Sequence, residues 1–161
     1  PARSKKMSVR CLNAHNRCSL LQKDTMSANL TMTQWSIEGI TMHESVNVNG
    51  TELQPCSTDL MTGWFRDGCC NTDASDRGLH VVCCIVTDDF LQFARSKGND
   101  LITPAPQFNF PGLKAGDRWC VCAQTWLDAA NEGVACPVSL DCTHEEALAV
   151  IRIDLLEAHS E

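Results

Sequence analysis

Two cysteine-containing segments combine the residue types that thiol chemistry requires. The first, which we call the DGCCN loop, covers residues 66–72 and contains Arg66, Asp67, Cys69, Cys70 and Asn71. The second, the RWCVC segment, covers residues 118–122 and follows an acid, so that it offers Asp117, Arg118, Cys120 and Cys122. A thiol becomes a good nucleophile where a positive neighbour or a helix N-terminus favours the thiolate. Both segments are therefore candidates for a ligand site.

The same cysteines also have a purely structural interpretation. If the RWCVC segment is a strand, Cys120 and Cys122 point to one face with Cα atoms about 6.6 Å apart, near the upper limit for a disulfide. Cys83 and Cys84 are adjacent in another predicted strand, and a buried thiol there packs as a small apolar side chain. Two function classes stay open: a thiol or polar ligand site, in which catalysis or metal binding is an option, and a non-catalytic interaction module whose cysteines are core residues.

No cofactor is predicted from the sequence. The Cys-x-x-Cys and His-x-x-x-His spacings typical of zinc sites do not occur, and there is no glycine-rich phosphate loop. Zinc is the alternative, and its ligands would come from five cysteines: Cys56, Cys69, Cys70, Cys120 and Cys122. We interpret His80 and His144 as capping or surface groups, because each stands at the start of a predicted element. Whether the protein is an enzyme stays open.

The number of cysteines bears on the compartment. Eleven thiols in 161 residues cannot all pair within one chain, and no secretory signal is visible, so a disulfide framework is not expected. We predict a cytoplasmic protein whose domain needs no disulfide. The alternative location is mitochondrial, because residues 1–45 are basic, hydroxylated and poor in acids, as transit segments are.

Charge and hydropathy restrict the partners. The net charge is −7, which argues against nucleic acid as the main partner, because binding phosphates requires a basic surface. The longest strictly apolar run has six residues, 81–86, whereas a membrane span needs about 18. The expected partner is a small ligand or another protein. Residues 1–45 hold six basic and three acidic residues (+3), which leaves −10 for residues 46–161, so we divide the chain into a basic extension, expected to be dispensable, and one globular domain.

From residue 46 onward the pattern predicts alternating strands and helices, beginning with a short strand over residues 45–53 that is followed by irregular chain over residues 54–79. Strands are predicted over residues 80–86, 118–123 and 136–140, and helices over 87–98, 125–132 and from 143 and 154 onward. A loop of nearly twenty residues, 99–117, contains Phe108 and Phe110, which we expect to anchor it. This order predicts an α/β or α+β fold: a single compact domain, in which three to four helices pack on a small sheet beside a long ordered Pro/Phe loop. Parallel pairing of the first two strands would place Arg118 beside the DGCCN loop.

Several segments after Val46 carry a resemblance to a known family. In chain order they are residues 53–59 (LQPCSTD), 62–72 (TGWFRDGCCNT), 80–83 (HVVC), 87–88 (TD), 97–101 (KGNDL), 110–123 (FPGLKAGDRWCVCA) and 143–148 (THEEAL). This part of the chain resembles the family of small proteins called domain of unknown function 2237. The resemblance implies one compact intracellular domain and brings no activity with it. Cys84, which doubles the strand cysteine, departs from the family pattern.

Overall fold

The computed structural model describes Cys11 and residues 45–161. This part of the chain forms a small α+β fold with two β-strands, β1 (Val82–Ile85) and β2 (Arg118–Val121). Three α-helices, α1 (Asp88–Ser96), α2 (Ala123–Asn131) and α3 (Ile153–Glu157), pack around them. Three short 3₁₀ turns complete the described elements: Pro106–Phe108, Leu140–Cys142 and Glu145–Ala149. Within these residues no helix is long and apolar enough to cross a membrane.

The two strands are antiparallel, with Cys83 opposite Cys120 in the register. The parallel pairing predicted from the strand–helix order is therefore wrong. After α1 the loop returns to the end of β1, where the Val86 N–H donates to the Asp117 carbonyl and the Gly116 N–H donates to the Val86 carbonyl. Because β2 starts beside the last residue of β1, it must run in the opposite direction.

The predicted third strand, residues 136–140, does not form. Only Val138 makes bridge pairs there, one of them antiparallel with Cys84. The Ser139 N–H donates to the Cys83 carbonyl, and the Ile85 N–H donates to the Pro137 carbonyl. Pro137 itself has no N–H to extend a ladder, so this segment covers the edge of β1 without becoming a strand.

Helix α1 forms within the stretch predicted to be helical, residues 87–98, and its N-terminus is capped by Thr87. The hydroxyl of Thr87 accepts from the Phe90 N–H at 3.2 Å, and Asp88 and Asp89 lie in the first turn, where the helix dipole favours acids. The helix predicted from residue 143 is instead a 3₁₀ turn that begins at Glu145. The Thr143 hydroxyl accepts from the Cys83 N–H of β1 and does not cap this turn, whose N-cap is His144.

The long loop is attached through one phenylalanine rather than two. Phe110 is buried, with its ring 5.3 Å from that of Trp119, whereas Phe108 is 69 % exposed. Gly112 has a φ of +78°, and a Cβ there would lie 2.3 Å from the Ile102 carbonyl oxygen, so this turn requires glycine. The expectation that Phe108 anchors the loop is wrong, and its ring is left at the surface.

Three disulfides join six of the described cysteines, contrary to the expectation that there is no disulfide framework. They are Cys11–Cys69, Cys56–Cys83 and Cys70–Cys120. An odd number of thiols prevents complete pairing but not partial pairing, and the irregular chain before β1 has few ladder hydrogen bonds to hold it. Cys83, expected as a free core thiol, is therefore bonded, whereas Cys84 is free and buried. These pairs do not fix the compartment.

Cys11 lies in the segment that the sequence assigns to a separate extension. It is buried and bonded to Cys69, so the extension is linked covalently to the DGCCN loop. Apart from Ser45, the other residues of the extension lie outside the described part of the chain. That residues 1–45 are dispensable for folding stays a prediction.

Reduction should destabilise the fold. The Cys70–Cys120 bond joins residues 50 apart in sequence, and closing a loop of this size in the unfolded chain is worth about 4 kcal/mol in the chain-entropy account. We expect urea unfolding of the full chain to show a loss of about 2–5 kcal/mol when a strong reductant is added. Without reductant, a Cys70→Ala/Cys120→Ala double variant should lose the part of the unfolding free energy that this bond contributes. An unchanged urea midpoint on reduction would contradict the bonded arrangement.

Candidate active site

Asp76 is a buried carboxylate whose oxygens both accept hydrogen bonds. One oxygen, Oδ2, accepts from the backbone N–H of His80 at 2.8 Å and from the Thr72 hydroxyl at 3.2 Å. The other, Oδ1, lies 2.6 Å from Nδ1 of the His80 ring. A buried carboxylate needs such partners to offset the loss of hydration. The result is an imidazole held at one nitrogen, with Nε2 left for another group.

The His80 ring is also held by stacking. The Trp64 ring lies 5.5 Å from it, at an interplanar angle of 15°, and the Trp64 indole N–H donates to the Ser75 hydroxyl. The His80 side chain stays 32 % exposed. Stacking on Trp64 fixes one face of the His80 ring and the contact with Asp76 fixes one edge, while the ring keeps contact with solvent.

The free thiol of Cys122 is the next neighbour of His80. A Cβ placed on Gly78 would lie 2.8 Å from His80 Cε1 and 3.3 Å from Cys122 Sγ, so both groups lie against the same glycine. The pKa of His80 is raised from 6.5 to about 9. The largest cause is a hydrogen bond to Cys122. The charge of Cys122 and the hydrogen bond and charge of Asp76 raise this pKa further, while burial lowers it. The imidazole is therefore largely protonated at neutral pH.

The antiparallel register brings these two residues together. Val82 pairs with Val121, so the chain just before β1 meets the chain just after β2 at one end of the sheet. The Ala123 N–H donates to the Leu79 carbonyl at 2.9 Å, which continues the contact beyond the ladder. His80 and Cys122 lie on either side of this junction.

Cys122 also occupies the N-cap position of α2. Its carbonyl accepts from the Trp126 N–H, as an N-cap carbonyl does, but its side chain makes no capping hydrogen bond. The thiol is thus placed at the positive end of a nine-residue helix and beside a protonated imidazole.

The other free cysteines of the described residues are Cys84, Cys136 and Cys142, and all three are buried. Burial raises the pKa of the Cys84 thiol, and a hydrogen bond with Cys136 adds to it. Burial also raises the pKa of Cys142. Among these four, Cys122 alone combines partial exposure with a basic neighbour.

A cavity of about 440 Å³ opens beside the pair. His80 and Cys122 both line it, and so does Cys120. Its other walls include Arg66 and the rings of four aromatic residues: Trp64, Phe108, Phe110 and Trp119. The site therefore has a thiol, an imidazole, a guanidinium and an apolar enclosure in one place.

The two segments selected from the sequence do meet, through the Cys70–Cys120 disulfide. Asp67 stabilises its own loop, since Oδ1 accepts from the Cys69 N–H and Oδ2 from the Asn71 amide. Cys69 and Cys70 are both in disulfides and offer no free thiol. From the DGCCN loop only Arg66 lines the cavity.

The RWCVC segment is divided in the same way. Arg118 forms an ion pair with Glu161, not with a thiol, and the Asp117 carboxylate accepts from the Lys114 N–H. Cys120 is bonded, and Cys122 is free. The cation at the candidate site is therefore Arg66 rather than Arg118.

Sequence reasoning missed Asp76 and His80. His80 was interpreted as a capping or surface residue, and Asp76 was treated as part of irregular chain. The available signal is an acid four residues before a histidine that immediately precedes a buried strand. Without the antiparallel pairing, nothing in that pattern points to Cys122.

The possible zinc ligands fall into different environments. The sulfur atoms of Cys56, Cys70 and Cys83 lie within 4.8 Å of one another, but they are used in the Cys56–Cys83 and Cys70–Cys120 bonds. Cys83 was not among the predicted ligands. Of the predicted set, Cys69 is bonded to Cys11 and Cys122 lies beside His80. Four thiolates for a tetrahedral zinc would require reduction of both bonds.

The family match covers the residues of this site. Residues 46–160 match the family described as "Uncharacterized protein conserved in bacteria (DUF2237)". The chain belongs to this family. The DUF2237 region contains Asp76, His80 and Cys122 together with the Cys56–Cys83 and Cys70–Cys120 disulfides, whereas Cys11 lies outside it. No curated protein matches the chain significantly.

Stability should fall as His80 loses its proton. Its pKa of about 9 in the folded protein lies above the ordinary 6.5, so the folded state binds the proton more tightly. This contribution is complete below about pH 6.5 and is lost as the pH rises through about 9. We expect the urea midpoint of the native chain to decrease as the pH rises from about 6.5 through about 9. In His80→Gln the part of this decrease that is due to His80 should be absent. The same fall in His80→Gln as in the native chain would contradict this assignment.

Proposed function

We propose that this protein is a thiol-dependent enzyme in which Cys122 is the nucleophile, His80 transfers the proton and Asp76 orients His80. The observation that carries the proposal is the buried Asp76 carboxylate bonded to an imidazole whose other neighbour is a half-buried free thiol at a cavity. A nucleophile, a base and a third group that orients the base make up the arrangement used for covalent catalysis on several unrelated folds. The substrate we propose is a small acyl compound rather than a nucleic acid.

The charges around Cys122 support its role as nucleophile. A protonated imidazole and a helix N-terminus both favour a thiolate over a thiol. His80 supplies the first, and α2 supplies the second. Buried cysteines such as Cys84 and Cys142 have neither, and burial raises their pKa.

The proposed reaction is acyl transfer in two steps. The Cys122 sulfur forms a bond to the carbonyl carbon of the substrate, the bond from that carbon to the leaving group breaks, and the proton on His80 Nε2 passes to the leaving group. Water then attacks the S-acyl carbon while neutral His80 accepts its proton, and the Cys122 thiolate leaves. Asp76 keeps its charge throughout and stabilises the imidazolium. No metal or redox cofactor takes part in these steps.

Backbone donors for the developing oxyanion lie at the same place. The first amides of a helix have no acceptor within that helix. The Ala123 N–H is used by the Leu79 carbonyl, which leaves the next two, Gln124 and Thr125, as the donors we assign to the oxyanion. Removing one oxyanion donor elsewhere lowers kcat by about 10²–10³-fold.

Alkylation tests the nucleophile directly. At pH 6.5 we expect iodoacetamide to modify Cys122 at least about tenfold faster than a small free thiol of pKa ~8.5, as measured by peptide mass spectrometry. His80→Gln should remove most of this advantage, because the thiol then lacks its cationic neighbour. Cys142→Ser is the matched control and should leave the rate at Cys122 unchanged. A rate no higher than that of the free thiol would refute the proposal.

Acyl transfer has its own signature. With p-nitrophenyl acetate we expect a burst of one equivalent of p-nitrophenol and an acetyl group on Cys122. Cys122→Ser should abolish the burst, and Asp76→Asn should slow it through the loss of the orienting charge. Rapid alkylation of Cys122 without any S-acetyl product would leave the nucleophile in place but exclude acyl transfer.

One observation favours a second candidate, thiol–disulfide exchange. Cys120, bonded to Cys70, lines the same cavity as Cys122. The Cys122 thiolate would bond to the Cys120 sulfur, the Cys70–Cys120 bond would break, and Cys70 would leave as a thiolate near the Cys56–Cys83 pair. No external oxidant is needed, since one disulfide replaces another.

Disulfide mapping separates the two candidates. After incubation at pH 8 and acid quenching, exchange predicts a peptide in which Cys120 is linked to Cys122, with one equivalent of Cys70 thiol. Cys122→Ser should show neither product. If the mapped bonds remain Cys70–Cys120 and Cys56–Cys83 throughout, exchange is excluded and acyl transfer is unaffected.

A further inference from the structure

Arg66 is held at the cavity in an unusual backbone conformation. Its φ is +56°, in the left-handed region that non-glycine residues seldom adopt and that occurs often at functional sites. The turn behind it is tight, because the Arg66 N–H donates to the Gly63 carbonyl and a Cβ on Gly63 would lie 1.9 Å from the Cys69 carbonyl oxygen. The loop thus fixes the direction in which the arginine leaves the backbone.

The guanidinium of Arg66 lies over an aromatic ring and not against an acid. Its central carbon is 5.0 Å from the centroid of the Trp119 ring, a cation–π geometry. Three other arginines pair with carboxylates: Arg95 with Asp100, Arg118 with Glu161 and Arg152 with Asp154. Arg66 has no ion pair with any residue in the described part of the chain. Its hydrogen-bond donors therefore stay available at the cavity wall.

Among the described residues, one carboxylate lines the cavity, that of Asp100, and it is already engaged. Asp100 accepts from the backbone amides of Ile102 and Thr103 and from the Thr103 hydroxyl, and Arg95 lies 3.7 Å from it. The Asp100 carboxylate is therefore occupied by hydrogen bonds within its own loop and by the nearby Arg95 guanidinium. Of the two positive groups at the cavity, the imidazolium of His80 is paired with Asp76, whereas Arg66 has no carboxylate partner among the described residues.

The remaining walls are apolar and partly open. Trp64 and Phe108 are 41 % and 69 % exposed, although both are large aromatic side chains that a folded protein usually covers. Together with Phe110 and Trp119 they form a surface on which an apolar or planar group can lie. A guanidinium beside such a surface is suited to a molecule with a carboxylate at one end and an apolar body.

We propose that the substrate carries a carboxylate that binds Arg66 while its apolar body packs on the aromatic wall and its reactive carbon reaches Cys122. This inference rests on the proposed function and names the substrate class of that site. Arg66 acts here as a specificity residue, because it touches the substrate away from the reacting atoms. The Cys122 sulfur and His80 perform the chemistry.

Paired alkylating reagents test the charge preference without a known substrate. Iodoacetate and iodoacetamide attack thiols by the same displacement and differ in one carboxylate. We expect the rate ratio of iodoacetate to iodoacetamide at Cys122 to exceed that of N-acetylcysteine about fivefold. Arg66→Gln should abolish this preference, and Arg66→Lys should keep part of it. Arg152→Gln, which removes an exposed arginine elsewhere, should leave the ratio unchanged.

Protection experiments apply the same test to the unaltered chain, in case Arg66→Gln fails to fold. Phenylacetate should slow the modification of Cys122 by iodoacetamide, and phenylacetamide, the neutral analogue, should protect at least about fivefold less. A reactive Cys122 with no preference for the anionic reagent and equal protection by both compounds would overturn the inference and leave the proposed function standing. A Cys122 that reacts with neither reagent above the free-thiol rate would overturn the proposed function itself.

Discussion

The buried carboxylate of Asp76 is the constraint on which the site depends. A charge removed from water must be offset by hydrogen bonds, and here the donors are the Thr72 hydroxyl, the His80 backbone and the His80 ring. These contacts fix the irregular chain that leads into β1 at the same time as they fix the imidazole. The Asp76 carboxylate therefore stabilises the turn and, in the proposed function, also orients His80. Loss of the carboxylate would remove the hydrogen bonds that hold the turn and leave the His80 ring positioned by its stacking on Trp64.

The pairing of β1 with β2 brings the Asp76–His80 pair next to Cys122. Two short antiparallel strands place the start of β1 and the end of β2 at the same edge, so that His80 and Cys122 meet although they are far apart in sequence. Parallel strands would have placed these positions at opposite ends. The Cys70–Cys120 disulfide then ties the DGCCN loop to β2, and with it Arg66 comes to the cavity wall.

The sequence predicted what depends on local chemistry. The start of α1 follows from Thr87 and the two acids after it. The meeting of the two cysteine segments was expected from a parallel pairing that does not occur, and the Cys70–Cys120 disulfide joins them instead. The strand direction could not be derived, because it depends on how the long loop returns to the end of β1. The contacts of His80 with Cys122 and of Arg118 with Glu161 depend on that direction, and so the sequence named Cys122 as a candidate without indicating that His80 lies beside it. The disulfides were not predicted because no secretory signal is visible and the odd number of thiols excludes complete pairing, although neither observation excludes partial pairing.

The ionisation of His80 tests the central claim most directly. A pH titration followed by NMR of the histidine ring nitrogens reports both its protonation and which nitrogen stays bonded. The account predicts a midpoint near the pKa of about 9 for His80, a ring held through Nδ1, and a midpoint in Cys122→Ser that moves toward the ordinary 6.5, because the largest raising cause has been removed. A midpoint near 6.5 in the native protein, unchanged in Cys122→Ser, would show that the thiol and the imidazole do not act as a unit.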